Sequence, residues 1–81
     1  MHLEIITPDK KIFEGEVTSA TFPGADGIFQ ILNDHAPLIS LLNQGLVEYK
    51  SKEATNQIMI TGGVVEVLKK KVVLLADGVV N

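Results

Sequence analysis

Eighty-one residues and 8.8 kDa leave room for one small domain, residues 1–81, because chains divide into a second core only well above this size. Hydrophobic residues at 46% and charged residues at 21% describe a chain that folds, and a net charge of −3, with seven Lys and no Arg, offers no footprint for nucleic acid or anionic lipid. Cys is absent, which excludes disulfides and thiol chemistry, and the longest charge-free stretches (36–47 and 54–65, 12 residues each) fall short of the roughly 20 apolar residues that span a bilayer.

Met1 is followed at once by His2 and Glu4 in an alternating pattern, without a basic segment leading into an apolar one. The expectation is therefore no signal or transit peptide, with the mature chain starting at Met1. Leu3-Glu4-Ile5 and Phe13-Glu14-Gly15-Glu16-Val17 alternate with period two, which predicts half-buried strands with Phe13 and Val17 inward and the carboxylates in water. The apolar parity then shifts to Ala20 and Phe22, predicting a bulge near Thr18 or Ser19. Pro23-Gly24-Ala25-Asp26-Gly27 is a dense turn signal, and Ile28-Phe29-Gln30-Ile31-Leu32, apolar on both parities, predicts a strand covered on both faces.

Residues 33–45 are ambiguous. Asp34 as N-cap, Pro37 in the first turn, Leu38, Leu41 and Leu42 on one side and Gly45 after the end would suit a short helix. Four further apolar runs, 46–50, 58–61, 64–68 and 72–75, are each bounded by turn chemistry. With nine Val, eight Ile and five Thr in the chain, this spacing predicts an all-β sandwich or barrel.

Candidate chemistry is sparse. Asp34 and His35 are adjacent, so in an extended chain their side chains diverge and the carboxylate does not orient the imidazole. His2 and His35 stand far apart in sequence with no Cys or tight carboxylate cluster, a poor metal set. Thr61-Gly62-Gly63 lacks the Lys and the helix that a phosphate loop needs and reads as a hairpin turn or bulge. Lys69-Lys70-Lys71 falls at a hairpin tip, where three solvated lysines are the ordinary reading and an acidic partner the other. The segment from Asn33 through Leu38, leading into Ile39, Leu41 and Leu42, carries more apolar surface than a small sandwich needs, which points to a partner.

The motifs Pro8-Asp9-Lys10-Lys11-Ile12-Phe13-Glu14-Gly15-Glu16-Val17, Phe22-Pro23-Gly24-Ala25-Asp26-Gly27, His35-Ala36-Pro37-Leu38, Gly62-Gly63-Val64-Val65-Glu66-Val67 and Val73-Leu74-Leu75-Ala76-Asp77 resemble, in order, the N-terminal domain of the epsilon subunit of F-type ATP synthase. The resemblance covers about residues 3–77. It implies a β-sandwich of about ten strands in two sheets at the foot of the rotor, with residues 38–42 extended rather than helical. It further implies a gamma-subunit interface at Thr7, His35, Ala36, Pro37, Leu38, Ser40 and Leu42, and a loop facing the polar loops of the c-ring at Gly24, Ala25, Asp26, Gly27 and Ile28. The implied role is non-catalytic and without cofactor: a subunit peripheral to the bacterial plasma (inner) membrane, on its cytoplasmic face, coupling proton flow to ATP synthesis. Three departures accompany it: Asn33-Asp34 before the histidine, Gln30 for a common glycine, and Ile28 for a usually polar residue. The sequence stops at Asn81, where the family commonly continues into an inhibitory, ATP-binding helical hairpin, so those functions are not expected of it. The rival reading is a biotinyl or lipoyl carrier domain with Lys70 as the modified residue, although Lys stands on both sides of it instead of the usual flanking residues.

Overall fold

The computed structural model describes residues 1–80. Their short β-branched runs form ten strands: β1 (His2–Ile6), β2 (Lys11–Glu16), β3 (Ser19–Gly24), β4 (Gly27–Leu32), β5 (Leu38–Leu42), β6 (Gly45–Lys50), β7 (Thr55–Ile60), β8 (Gly63–Val67), β9 (Lys71–Ala76) and β10 (Val79–Val80). Hydrogen bonding runs continuously in the order β10-β7-β6-β3-β5-β8-β9-β1-β2, with β4 on the other edge of β3. β3 and β5 share the single pair Gly24–Leu42, and at that seam the ladder curls into two layers of five strands, β4-β3-β6-β7-β10 and β5-β8-β9-β1-β2. The two sheets expected of a sandwich are thus one folded sheet. All pairings are antiparallel except β1 with β9, which run parallel from His2–Lys71 to Ile6–Leu75.

Between the layers lies the core. Leu3, Ile5, Val65, Val67, Val72 and Leu74 come from one layer, and Ala20, Phe22, Ile31, Val47, Tyr49 and Ile60 from the other. Phe13 of β2 and Tyr49 of β6 meet across the gap with ring centroids 4.6 Å apart, a tilted pair that closes one side of the core. No buried side-chain nitrogen or oxygen among the described residues lacks a hydrogen-bond partner.

Three expectations are corrected here and one ambiguity is resolved. The parity shift at Val17-Thr18 is not a bulge. β2 ends at Glu16 and pairs with β1, while β3 starts at Ser19 and pairs with β4 and β6, so the chain changes layers there. Thr61-Gly62-Gly63 is a second change of layer rather than a hairpin turn, since β7 pairs with β6 and β10 while β8 pairs with β5 and β9. A Cβ on Gly63 would collide with the Leu75 carbonyl oxygen, so that crossing needs a glycine. β4 is not covered on both faces: it pairs only with β3, and Ile28 is 80% exposed. Residues 38–42, which could have been helix on periodicity alone, form the extended strand that the resemblance implied, with five consecutive pairs to β8.

Candidate functional site

β5 is apolar at both parities, so its two sides must be told apart by structure. Leu42 is core, at 6% exposed, and Leu38 and Ser40 share its inward parity and are half-buried, whereas Ile39 and Leu41 point away from the core at 70% and 67% exposed. The pairing extends this outward row across the layer. Leu41 lies beside Val64, Val64 beside Leu75, and Leu75 beside Ile6; one step along, Ile39 lies beside Glu66 and Glu66 beside Val73. Because paired residues share a face, these side chains make one continuous apolar surface over β5, β8, β9 and β1. Leu75, near its middle, is 52% exposed. Isolated exposed hydrophobics are ordinary on a monomer; a contiguous set across four strands makes this face the candidate interaction surface.

Toward β2 the same face turns ionic. Glu4 receives Lys11 at 2.9 Å and Lys71 at 3.9 Å, and His2 lies 2.9 Å from Glu14 and 3.2 Å from Glu16. The hydrogen bonds from Lys11 and then His2 hold the Glu14 carboxyl below its ordinary value, and Glu14 and then Glu4 hold the Lys11 ammonium above its own. This network borders the apolar surface and pins β1 to β2.

The Gly24–Ile28 segment is a two-residue hairpin turn, Ala25-Asp26, between β3 and β4. Gly24 is buried, and a Cβ there would stand 2.6 Å from the Gly27 carbonyl oxygen and 2.8 Å from the Phe29 ring, while Gly27 adopts φ 131°. The turn is not a free loop. Ala25 N–H donates to the Leu41 carbonyl at 2.9 Å, and Asn43 N–H to that of Pro23 at 2.9 Å. The proposed ring-facing turn and the end of β5 are therefore joined by hydrogen bonds.

The sequence-predicted residues do not all converge. Thr7 follows β1 at the end of the sandwich nearest Leu42, and its hydroxyl is engaged with Lys10, accepting from the backbone N–H at 3.2 Å. His35 stands at the opposite end, before β5, where its Nδ1 donates to the Ala36 carbonyl at 2.7 Å. Ala36 and Pro37 are exposed beside it, after Asp34 in a left-handed conformation at φ 63°. Ser40 Oγ donates to the Leu41 carbonyl at 3.2 Å, and Leu42, being core, has no surface to offer. What the sequence reading missed is the outward set Ile6, Val64, Val73 and Leu75, which only strand order brings beside Ile39 and Leu41. Lys70 is exposed at the β8–β9 turn, as the carrier reading required. Among the described residues no group of three His, Cys, Asp or Glu could hold a metal ion, and no helix is long and apolar enough to cross a membrane.

Comparison with known proteins identifies the architecture. A family model described as ATP synthase, Delta/Epsilon chain, beta-sandwich domain matches residues 1–81. The ATP synthase epsilon chain of Campylobacter curvus is 42% identical over 81 residues, covering 99% of this chain and 63% of the relative. That of Chlorobium limicola is 45% identical over 78 residues, covering 95% of this chain and 89% of the relative. Thus the chain spans somewhat under two thirds of the length of several curated relatives it matches, such as the Campylobacter protein. Among solved structures, a chain of the Euglena gracilis mitochondrial ATP synthase superposes with a TM-score of 0.89 at 23% identity, over 96% of this chain and 51% of that one. A chain of the Tetrahymena thermophila enzyme gives 0.83 at 18%, over 99% and 65%. These two establish the fold, and the family model and the relatives establish descent: the chain belongs to the ATP synthase delta/epsilon-chain β-sandwich family.

Proposed function

We propose that this domain is the sandwich of an ATP synthase epsilon subunit, a non-catalytic rotor component that grips the gamma subunit with the outer face of β5-β8-β9-β1 and turns the Ala25-Asp26 hairpin toward the c-ring. Its work is mechanical coupling of proton flow to ATP synthesis. The observation that carries the reading is the apolar surface itself, centred on Ile39, Leu41 and Leu75, in a delta/epsilon-chain family whose matched relatives here are epsilon chains. Covering what each of these side chains still exposes stabilises a complex by about 1–2 kcal/mol before the costs of association. The hydrogen bond from Ala25 to Leu41 supports the coupling, because it links the two proposed contact regions without an intervening hinge. A close-packed interior deforms little and so transmits a displacement applied at one surface to the other. The solved relatives are named as parts of assemblies that include a c-ring, in keeping with the second contact. The bacterial relatives favour the cytoplasmic face of a plasma membrane as its place.

The test is binding to purified gamma subunit. The double substitution Leu41→Asp, Leu75→Asp is expected to weaken the complex at least 100-fold while leaving the thermal transition of the isolated domain in place. Unchanged affinity would remove the outer face of this layer from the interface.

A further inference from the structure

Two glutamates occupy one register row of the outer face, running Ile39, Glu66, Val73, Glu4 across β5, β8, β9 and β1. Their surroundings differ. Glu4 is largely covered and has two cations, Lys11 at 2.9 Å and Lys71 at 3.9 Å. Glu66 is exposed, and among the described residues it makes no ion pair and no side-chain hydrogen bond. Its neighbours on that face are Ile39 and Val73 across the strands and Val64 along its own strand, while Lys71, diagonal to it on β9, is directed to Glu4 at 3.9 Å. It is a carboxylate without an ion pair at the edge of the apolar surface, with Ile39, Val64 and Val73 as its immediate neighbours.

An unpaired charge in this position costs nothing while water reaches it. Any partner that covers Ile39 and Leu41 also strips water from Glu66, and a desolvated carboxylate without a counter-charge opposes binding strongly. A partner that brings a cation there instead forms a charge-assisted hydrogen bond in a water-poor setting, where such bonds are strong and directional.

Resting on the docking reading above, we propose that Glu66 receives a lysine or arginine of the gamma subunit. The ion pair fixes the register of an apolar contact that would otherwise tolerate sliding. Hydrophobic covering supplies the affinity and Glu66 supplies the alignment.

The experiment measures Kd for gamma with the wild-type chain, Glu66→Gln, Glu66→Lys and Leu41→Asp, at low and high salt. Glu66→Gln keeps the shape and removes the charge. It is expected to weaken binding about tenfold or more, Glu66→Lys at least 100-fold, and one gamma Lys→Glu or Arg→Glu variant is expected to restore binding to Glu66→Lys. If Glu66→Gln binds as tightly as wild type or more tightly, while Leu41→Asp still disrupts the complex, the cation is absent and the inference falls with the docking surface intact. If Leu41→Asp has no effect, the docking surface itself falls. Melting curves of all three variants, expected to match wild type because both positions are exposed, separate these outcomes from misfolding.

Discussion

The two outer faces of the sandwich are built from equally β-rich strands but dressed differently. On the β5-β8-β9-β1 side the outward residues Ile39, Leu41, Val64, Val73, Leu75 and Ile6 are apolar, interrupted by Glu66 and bordered by the ionic group of Lys71, Glu4 and His2. On the β4-β3-β6-β7 side a polar row, Gln30-Thr21-Glu48-Gln57, crosses the layer, and Gln57 Nε2 donates to Glu48 Oε2 at 2.9 Å. Outward apolar side chains there lie on both sides of that row, Leu32 on one and Ile28, Leu46, Met59 and Val80 on the other. The second face is thus divided by a polar row, whereas the apolar residues of the first adjoin one another across four strands. A sheet's inner face records how the domain folds, and its outer face records what the domain meets.

The widest contrast lies within β5. Leu42→Ala is expected to destabilise the fold by about 2–5 kcal/mol, a large share of a small domain's stability, as a shift in the urea midpoint. Leu41→Ala, one residue away but outward, is expected to stay within about 0.5 kcal/mol in the same assay while weakening gamma binding. Equal losses of stability at the two positions would show that the sides of β5 are misassigned. A second, smaller effect sharpens the seam between the layers: Gly24→Ala forces a methyl against the Gly27 carbonyl and the Phe29 ring and is expected to cost about 1–3 kcal/mol in thermal unfolding. On the polar face, Gln57→Ala is expected to leave gamma affinity unchanged and stability within about 0.5 kcal/mol, by titration and melting respectively.

The smallest effects are those of pH. The folded pKa of Glu14 is lowered, so its contribution is present above the ordinary value of 4.5 and is lost as pH falls through the folded value. That of Lys11 is raised, so its contribution is complete below 10.5 and is lost as pH rises through the folded value. Burial raises the Tyr49 phenol, which adds a loss in the same alkaline direction above 10.0. Lys11→Met is expected to flatten the acid limb of stability slightly and Tyr49→Phe the alkaline limb. Both follow from denaturant midpoints across pH, and an unaltered limb in either variant would dismiss its group.

Much of the fold was legible because alternation and turn residues marked the strands: Leu3, Ile5 and Val17 are buried in the core and Phe13 packs against it, as the alternation predicts. The failures share a cause. A parity shift arises from a bulge and from a change of layer alike, so Val17-Thr18 could not be resolved from sequence. A run apolar on both parities arises from burial on two sides and from one buried and one partner-seeking side. Ile28 to Leu32 and Leu38 to Leu42 are such runs, and their outward residues became known only when strand order was. The candidate surface was half visible for the same reason, since β5 announces itself while Val64, Val73 and Leu75 join it only through pairing.

The parallel pair of β1 with β9 bears on how such a chain is born. β1 lies between its hairpin partner β2 and a strand that follows it by most of the domain, since Leu3 waits for Val72 and Ile5 for Leu74. Until then β1 exposes an unpaired edge and two large aliphatic side chains, a template for mispairing. Closure of this layer is therefore a late, long-range event, and a transcript cut short before Lys71 yields a nascent chain that cannot complete it.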